Sequence, residues 1–76
     1  MLKIKDNVDL KELEKYDYEE DDDNYIKTMP DDIHELNVDK KERTIYVYTA
    51  ISKRYAKEYE VKDLIQAGLV EKVKEE

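Results

Sequence analysis

The aliphatic residues of this chain are few and lie in short, separated groups, which limits the folds that it can form. The 76 residues include 18 Leu, Ile and Val, and seven Tyr are the only aromatic residues. No stretch approaches the roughly 20 apolar residues that cross a bilayer, so we expect no membrane span. A core of this size supports one small domain of modest stability. We therefore predict a single domain over residues 1–76, which dimerisation would stabilise further.

The two ends of the chain have the spacing of short helices. Residues 9–16 place apolar side chains on one helical face, and Asp9 followed by Glu12 matches a capping box. Toward the C-terminus, residues 61–65 also have helical spacing. Gly68 is suited to the left-handed position that ends such a helix. These signals predict one helix near each terminus.

Three β-prone segments lie between these helices, at residues 25–29, 33–38 and 43–49. A Pro-Asp sequence predicts a turn at residues 29–33. Residues 50–59 are ambiguous, because they are compatible with an extension of the third strand, a turn or the start of a helix. The most economical architecture is an α+β fold, a three-stranded antiparallel meander with an N-terminal and a C-terminal helix on one face.

The formal charge of −7 is concentrated in one part of the chain. Residues 17–35 contain nine acids and a single base, Lys27, whereas the other residues contain 12 acids and 13 bases. The densest run, residues 17–24, has no apolar period and is predicted to be a loop or a frayed strand end. Because phosphate groups repel carboxylates, an acidic surface argues against direct binding to nucleic acid or to anionic lipid.

The residue types that catalysis and cofactor binding need are scarce. The chain has one His, His34, one Ser, Ser52, one Gly and no Cys. A catalytic triad would have to bring those single residues together, and a phosphate-binding loop needs several glycines. The acidic run also lacks the Gly and the final Glu of an EF-hand loop. We therefore expect a cytoplasmic protein that is not an enzyme and has neither a metal nor another cofactor.

The acidic run has the charge spacing of a nucleic-acid strand. Six carboxylates over residues 17–23 would extend roughly 20 Å, or about one charge per 3.4 Å, close to the phosphate spacing along one DNA strand. A following hairpin that folds back would add further acids, and two flanking tyrosines would act as apolar anchors. The predicted partner-binding residues are Asp17, Tyr18, Glu19, Glu20, Asp21, Asp22, Asp23, Tyr25, Asp31, Asp32 and Glu35.

A tyrosine-bearing strand predicts a second kind of interface. In residues 43–49, Ile45 and Val47 alternate with Tyr46 and Tyr48, so the two pairs lie on opposite faces of a strand. If helices cover the aliphatic face, the tyrosines are open to solvent, and Tyr is frequent at interfaces. In this alternative, Tyr46 and Tyr48 form a homodimer or partner interface and the acidic run only increases solubility. The reading in which these tyrosines complete the core also stays open.

Two scaffold-type segments lie at the ends of the chain, MLKIKDNVDLKELEKY at residues 1–16 and DLIQAGLVE at residues 63–71. They resemble small uncharacterised proteins of low-GC Gram-positive bacteria and their phages. The resemblance implies a phage or prophage setting, and therefore the cytoplasm of the host cell, and it implies no catalytic residues. Such a setting favours small proteins that bind and inhibit host machinery, including anti-CRISPR and anti-restriction proteins.

These patterns together predict a non-catalytic acidic binding protein. In the leading hypothesis, it inhibits a host nucleic-acid-binding protein by occupying a basic surface as a nucleic-acid mimic. In the alternative hypothesis, it is a structural or interaction module that uses the tyrosine-rich sheet face. Both hypotheses place the contact on a protein partner or a second copy of the chain.

Overall fold

The computed structural model describes residues 1–74 and consists mainly of β-strands. The strands, numbered in chain order, are β1 Leu2–Ile4, β2 Glu19–Glu20, β3 Asn24–Thr28, β4 Glu35–Asp39, β5 Ile45–Tyr48, β6 Lys53–Tyr55 and β7 Val70–Lys72. Strands β2 to β6 form one antiparallel sheet in which each strand pairs with the next, and β1 pairs with β7 in a two-stranded sheet. A bridge between Lys3 and Thr44 joins the two sheets.

Helical structure in the described residues is limited to three short segments. A 3₁₀ helix at Leu10–Tyr16 begins after Asp9, whose side chain accepts a hydrogen bond from the backbone N–H of Lys11 at 3.0 Å. A second 3₁₀ helix occupies Glu58–Glu60, and an α-helix, α1, spans Lys62–Gln66. Helices this short are unstable alone, so packing against the sheets holds them in place.

The predicted architecture, a three-stranded antiparallel meander with an N-terminal and a C-terminal helix, is wrong. The main sheet has five strands, because β2 and β6 extend it at its two edges. The N-terminal segment forms 3₁₀ turns, α1 has five residues, and both ends of the chain contribute strands instead. Strands β2 and β6 carry little apolar pattern of their own, so hydrogen bonding to β3 and β5 decides their conformation.

The core lies on one face of the five-stranded sheet, called here the inner face. Strand register aligns Tyr25 with Val38 and Ile45, and Leu36 with Val47, and all five side chains are buried. The other buried apolar residues of the cluster come from the segments outside β3, β4 and β5: Leu2, Ile4, Leu13, Tyr18, Ala56, Val61 and Leu64. The terminal segments therefore cover one face of the main sheet.

Gly68 ends α1 in the left-handed conformation predicted for it, with φ +77°. No atom lies within 4 Å of the place that a Cβ would occupy, so Gly68→Ala adds backbone strain without a clash. We expect this variant to lower the free energy of unfolding by about 1 kcal/mol in urea titrations. An unchanged stability would contradict the left-handed assignment.

Candidate functional site

The face of the five-stranded sheet opposite the core, called here the outer face, carries the candidate site. Directly paired residues of antiparallel strands point to the same face. One row of pairs crosses all five strands in the order Glu19, Ile26, Asn37, Tyr46 and Tyr55. Since neighbouring strands are about 4.8 Å apart, this row extends roughly 19 Å. The outer face therefore runs from an acidic edge at β2 to an aromatic edge at β6.

A second row on the outer face consists of Thr28, Glu35, Tyr48 and Lys53. The apolar side chains of both rows, including that of Ile26, lie outside the buried cluster of the core. Of the residues in these two rows, Asn37 is buried and the others are partly or fully exposed to solvent. The outer face is therefore open, as the alternative hypothesis requires.

Three tyrosines form a compact group on this face. The rings of Tyr46 and Tyr55 stack across β5 and β6, with centroids 5.4 Å apart and planes inclined by 25°. Tyr46 and Tyr48 meet edge to face, with centroids 6.3 Å apart and planes inclined by 69°. Both arrangements are favourable aromatic pairs. Tyr55 is 42% exposed and the other two are half-buried, so the three rings, called here the tyrosine cluster, present an ordered aromatic surface.

The ammonium group of Lys53 lies on the tyrosine cluster. Its Nζ is 4.2 Å from the ring centroid of Tyr46 and 5.4 Å from that of Tyr48. Hydrogen bonding to Tyr48 is the main reason that the pKa of Lys53 is raised. Within the described residues, no carboxylate forms an ion pair with Lys53. The cluster therefore holds a cation through its ring faces.

Carboxylates surround this aromatic centre. Strand register places Glu19, Glu35 and Asp39 on the outer face, together with the single base Lys53. Asn37, buried at the middle of the face, donates a hydrogen bond from Nδ2 to Oε1 of Glu35 at 3.5 Å. The outer face thus combines an aromatic centre with a net negative border.

The contact surface predicted over residues 17–35 is assembled only in part. Tyr18 and Tyr25, predicted as exposed anchors, are 3% and 2% exposed and belong to the core. Their alternation with the outer-face residues of β2 and β3 directs both rings inward. Neither tyrosine can therefore anchor a partner. The hydroxyl of Tyr18 has no hydrogen-bond partner among the described residues, and burial raises its pKa.

The hairpin between β2 and β3 presents most of the predicted acids to solvent. Asp17, Glu19 and the three acids at residues 21–23 are exposed. Glu20 is exposed as well but forms an ion pair with Lys40, with Oε2 and Nζ 2.8 Å apart, and this hydrogen bond lowers the pKa of Glu20. Of the six exposed acids at the β2 edge, five lie outside this ion pair.

The remaining predicted acids lie at the opposite end of β3 and do not join this group. Asp31 accepts hydrogen bonds from the backbone N–H groups of His34 and Ile33, which hold its pKa at about 2. Its carboxylate therefore stabilises the turn that the sequence predicted at residues 29–33. Asp32 is exposed beside it, and Glu35 begins β4 on the outer face.

Sequence reasoning missed Lys53 and Tyr55, because residues 50–59 had several open interpretations. The signal that identifies them is the turn before β6. The hydroxyl of Thr49 accepts a hydrogen bond from the backbone N–H of Ser52 at 3.1 Å, which reverses the chain. After that turn, alternate residues of β6 return to the face of Tyr46 and Tyr48.

Comparison with protein families, with curated proteins and with solved structures gave no match. None of the helices within residues 1–74 is both long enough and apolar enough to cross a membrane. In the same residues, no three Asp, Glu or His side chains are grouped so as to hold a metal ion. The geometry of the outer face is therefore the basis for a functional proposal.

Proposed function

We propose that this protein is a non-catalytic binding module that docks a basic surface of another protein on its outer face. The observation that carries the proposal is the tyrosine cluster, three rings on an open sheet face that already hold an ammonium group. Grouped, ordered aromatic side chains are typical of the residues that dominate binding energy at protein interfaces. The leading and alternative sequence hypotheses meet in this proposal, because it joins a tyrosine face to a basic partner.

The charge around the cluster favours a basic partner. Glu19, Glu35 and Asp39 outnumber Lys53 on the outer face, and the whole chain carries −7. A cationic surface is attracted at long range by the net charge and at contact by the ring faces. Two copies of the chain would bring the same acids together, so the charge disfavours a homodimer through this face.

The exposed acids of the β2–β3 hairpin support a narrower form of the proposal. In this form, the basic surface is one that otherwise binds nucleic acid, and the module inhibits its partner by competition. Asp17, Glu19 and the acids at residues 21–23 border the outer face at its β2 edge. Only Glu19–Glu20 of this run is a strand, and the acids at residues 21–23 lie in the reverse turn that the N–H of Asp21 closes by donating to the backbone oxygen of Asn24. The support for this narrower form is therefore the density of exposed carboxylates, which attract a basic surface, and not a phosphate-like spacing. The tyrosine cluster supplies the apolar contact for which Tyr18 and Tyr25 are unsuited.

The affinity for a short peptide of alternating Arg and Gly tests the proposal. We expect the double variant Tyr48→Ser/Tyr55→Ser to weaken binding at least about tenfold, because aromatic anchors at interfaces each contribute more than about 1 kcal/mol. Tyr59→Ser is the matched control, since Tyr59 is 63% exposed but lies on the second 3₁₀ helix. Titration calorimetry at low ionic strength measures both variants against the wild type.

Changes to the acidic hairpin separate its contribution from that of the tyrosines. Neutralising residues 21–23 from Asp to Asn should flatten the salt dependence of binding, since it removes three exposed charges. A peptide of alternating Glu and Gly should not bind.

Equal affinities of the double tyrosine variant and the wild type for the Arg-Gly peptide would contradict the proposal. So would light scattering that shows a dimer of the wild type and a monomer of the double variant.

A further inference from the structure

We infer that the corner between the rings of Tyr46 and Tyr48 is a binding subsite for one guanidinium or alkylammonium group, and that Lys53 fills it in the free protein. On binding, an Arg or Lys side chain of the partner displaces Lys53 and takes its place. This inference rests on the proposed function, since it names the chemical group that the outer face selects. It makes Lys53 an internal competitor for the subsite.

The geometry of the two rings defines the subsite. Their planes are inclined by 69°, so the face of one ring and the edge of the other bound an open corner. The ammonium of Lys53 lies in that corner, 4.2 Å from one centroid and 5.4 Å from the other. Both distances are within the roughly 6 Å at which cations are attracted to aromatic rings. A planar guanidinium is also able to stack on such a ring.

One wall of the corner, the ring of Tyr46, is packed in place in the free protein. Tyr55 stacks on the ring of Tyr46 from β6, and Tyr46 is itself half-buried. The buried amide of Asn37 lies between Ile26 and Tyr46 in the same row. The ring of Tyr46 is therefore already positioned by folding, which lowers the entropic cost of binding.

The position of Lys53 in the fold allows its side chain to move out of the subsite. It lies on the edge strand β6, directly after an exposed turn, and its side chain is exposed. No carboxylate among residues 1–74 forms an ion pair with its ammonium, so departure breaks the contacts with the tyrosines and weakens a longer-range attraction to Asp39. Glu35, paired across the strands with Tyr48, lies on the same face and favours a second cation there.

Nuclear magnetic resonance with a small probe tests the inference. The probe is N-acetyl-arginine methylamide, and its uncharged isostere N-acetyl-citrulline methylamide is the chemical control. In the wild type, the Hε signals of Lys53 should be shifted upfield by the tyrosine rings and should return toward their random-coil position as the arginine probe is added. Hε signals at the random-coil position without the probe would overturn the inference.

Removal of the internal competitor gives a second readout. Lys53→Thr, which suits a strand, should bind the arginine probe about two- to fivefold more tightly than the wild type, the ratio expected from an exposed cation–π contact. Lys41→Thr is the control, because it removes the same charge from an exposed turn. Equal tightening by both variants, or equal binding of the citrulline probe, would overturn the inference. Probe binding without peptide binding would instead retain the subsite and contradict the proposed function.

Discussion

Replacing Arg54 with Met is expected to lower the free energy of unfolding by about 2–4 kcal/mol. Arg54 donates from Nη1 and Nη2 to the two carboxylate oxygens of Glu60, at 2.7 and 2.8 Å. The side chain of Glu60 is only 4% exposed, so loss of the guanidinium leaves a buried charge whose other contact is the backbone N–H of Lys57. Breaking a fully buried ion pair costs about 3–5 kcal/mol, and the expected loss is somewhat smaller here because Arg54 is partly exposed.

The pH dependence of stability gives this prediction a distinct signature. The hydrogen bond from Arg54 lowers the pKa of Glu60, so in the wild type this group stabilises the fold above the ordinary pKa of Glu and ceases to do so as the pH falls through the lowered value. In Arg54→Met, burial without a partner should raise the pKa of Glu60. The difference in the free energy of unfolding between the variant and the wild type should therefore become smaller as the pH falls to about 4.

Urea titrations between neutral and acid pH measure both effects. Glu60→Gln is the matched control, because it removes the titrating group while it keeps the shape of the side chain. We expect this control to show neither pH trend. A constant difference between Arg54→Met and the wild type across the whole pH range would contradict the assignment of the effect to Glu60.

Replacing Arg43 with Met is expected to destabilise the protein by about 2–3 kcal/mol. Arg43 donates from Nη1 to the backbone oxygens of Lys5 and Val8, at 2.8 and 2.6 Å, and its own backbone oxygen accepts from Ile4. The side chain thus links the loop after β1 to the turn before β5 by hydrogen bonds. Met retains the apolar stem without these charge-assisted hydrogen bonds.

A glycine at position 43 distinguishes the contribution of the side chain to stability from that of the backbone conformation. Arg43 has φ +65°, a left-handed conformation that disfavours side chains. Arg43→Gly should therefore be more stable than Arg43→Met by up to about 1 kcal/mol, although both lose the hydrogen bonds. Thermal and urea unfolding of the two variants compare them directly. A Met variant as stable as the wild type would show that the hydrogen bonds do not fasten the N-terminal loop.

Much of the sheet could be predicted from local sequence, whereas its edges could not. Strands β3, β4 and β5 are β-prone, and β5 alternates aliphatic with aromatic residues, so their existence follows from pattern alone. Strand β2 consists of two Glu residues and β6 of Lys, Arg and Tyr, so neither has a hydrophobic period. Their conformation depends on a neighbour strand, which a local pattern does not contain.

The lengths of the two terminal helices were overestimated for a related reason. The capping signal at Asp9 is real, since its side chain accepts a hydrogen bond from the N–H of Lys11, but it begins 3₁₀ turns. Helical spacing over a few residues does not distinguish a long helix from a single turn held by packing. The left-handed Gly68 was predictable because glycine conformation is a local property.

The candidate site was predictable only in part. Tyr46 and Tyr48 follow from the alternation of β5, and their exposure to solvent depends on which face the terminal segments cover. Tyr18 and Tyr25 stand beside acids in the sequence but on the inner face in the fold, because strand register decides the direction of each side chain. The prediction that Tyr18 and Tyr25 anchor the partner was therefore wrong, because it relied on their position beside the acids in the sequence.

The central claim is that a basic partner docks on the outer face, with the tyrosine cluster at its centre. A heteronuclear correlation spectrum recorded during titration with the alternating Arg-Gly peptide tests it most directly. We predict that the largest shifts occur at Tyr46, Tyr48, Lys53 and Tyr55, with smaller shifts at Glu19. Shifts confined to the hairpin at residues 21–23, with the signals of the tyrosine cluster unmoved, would contradict the claim.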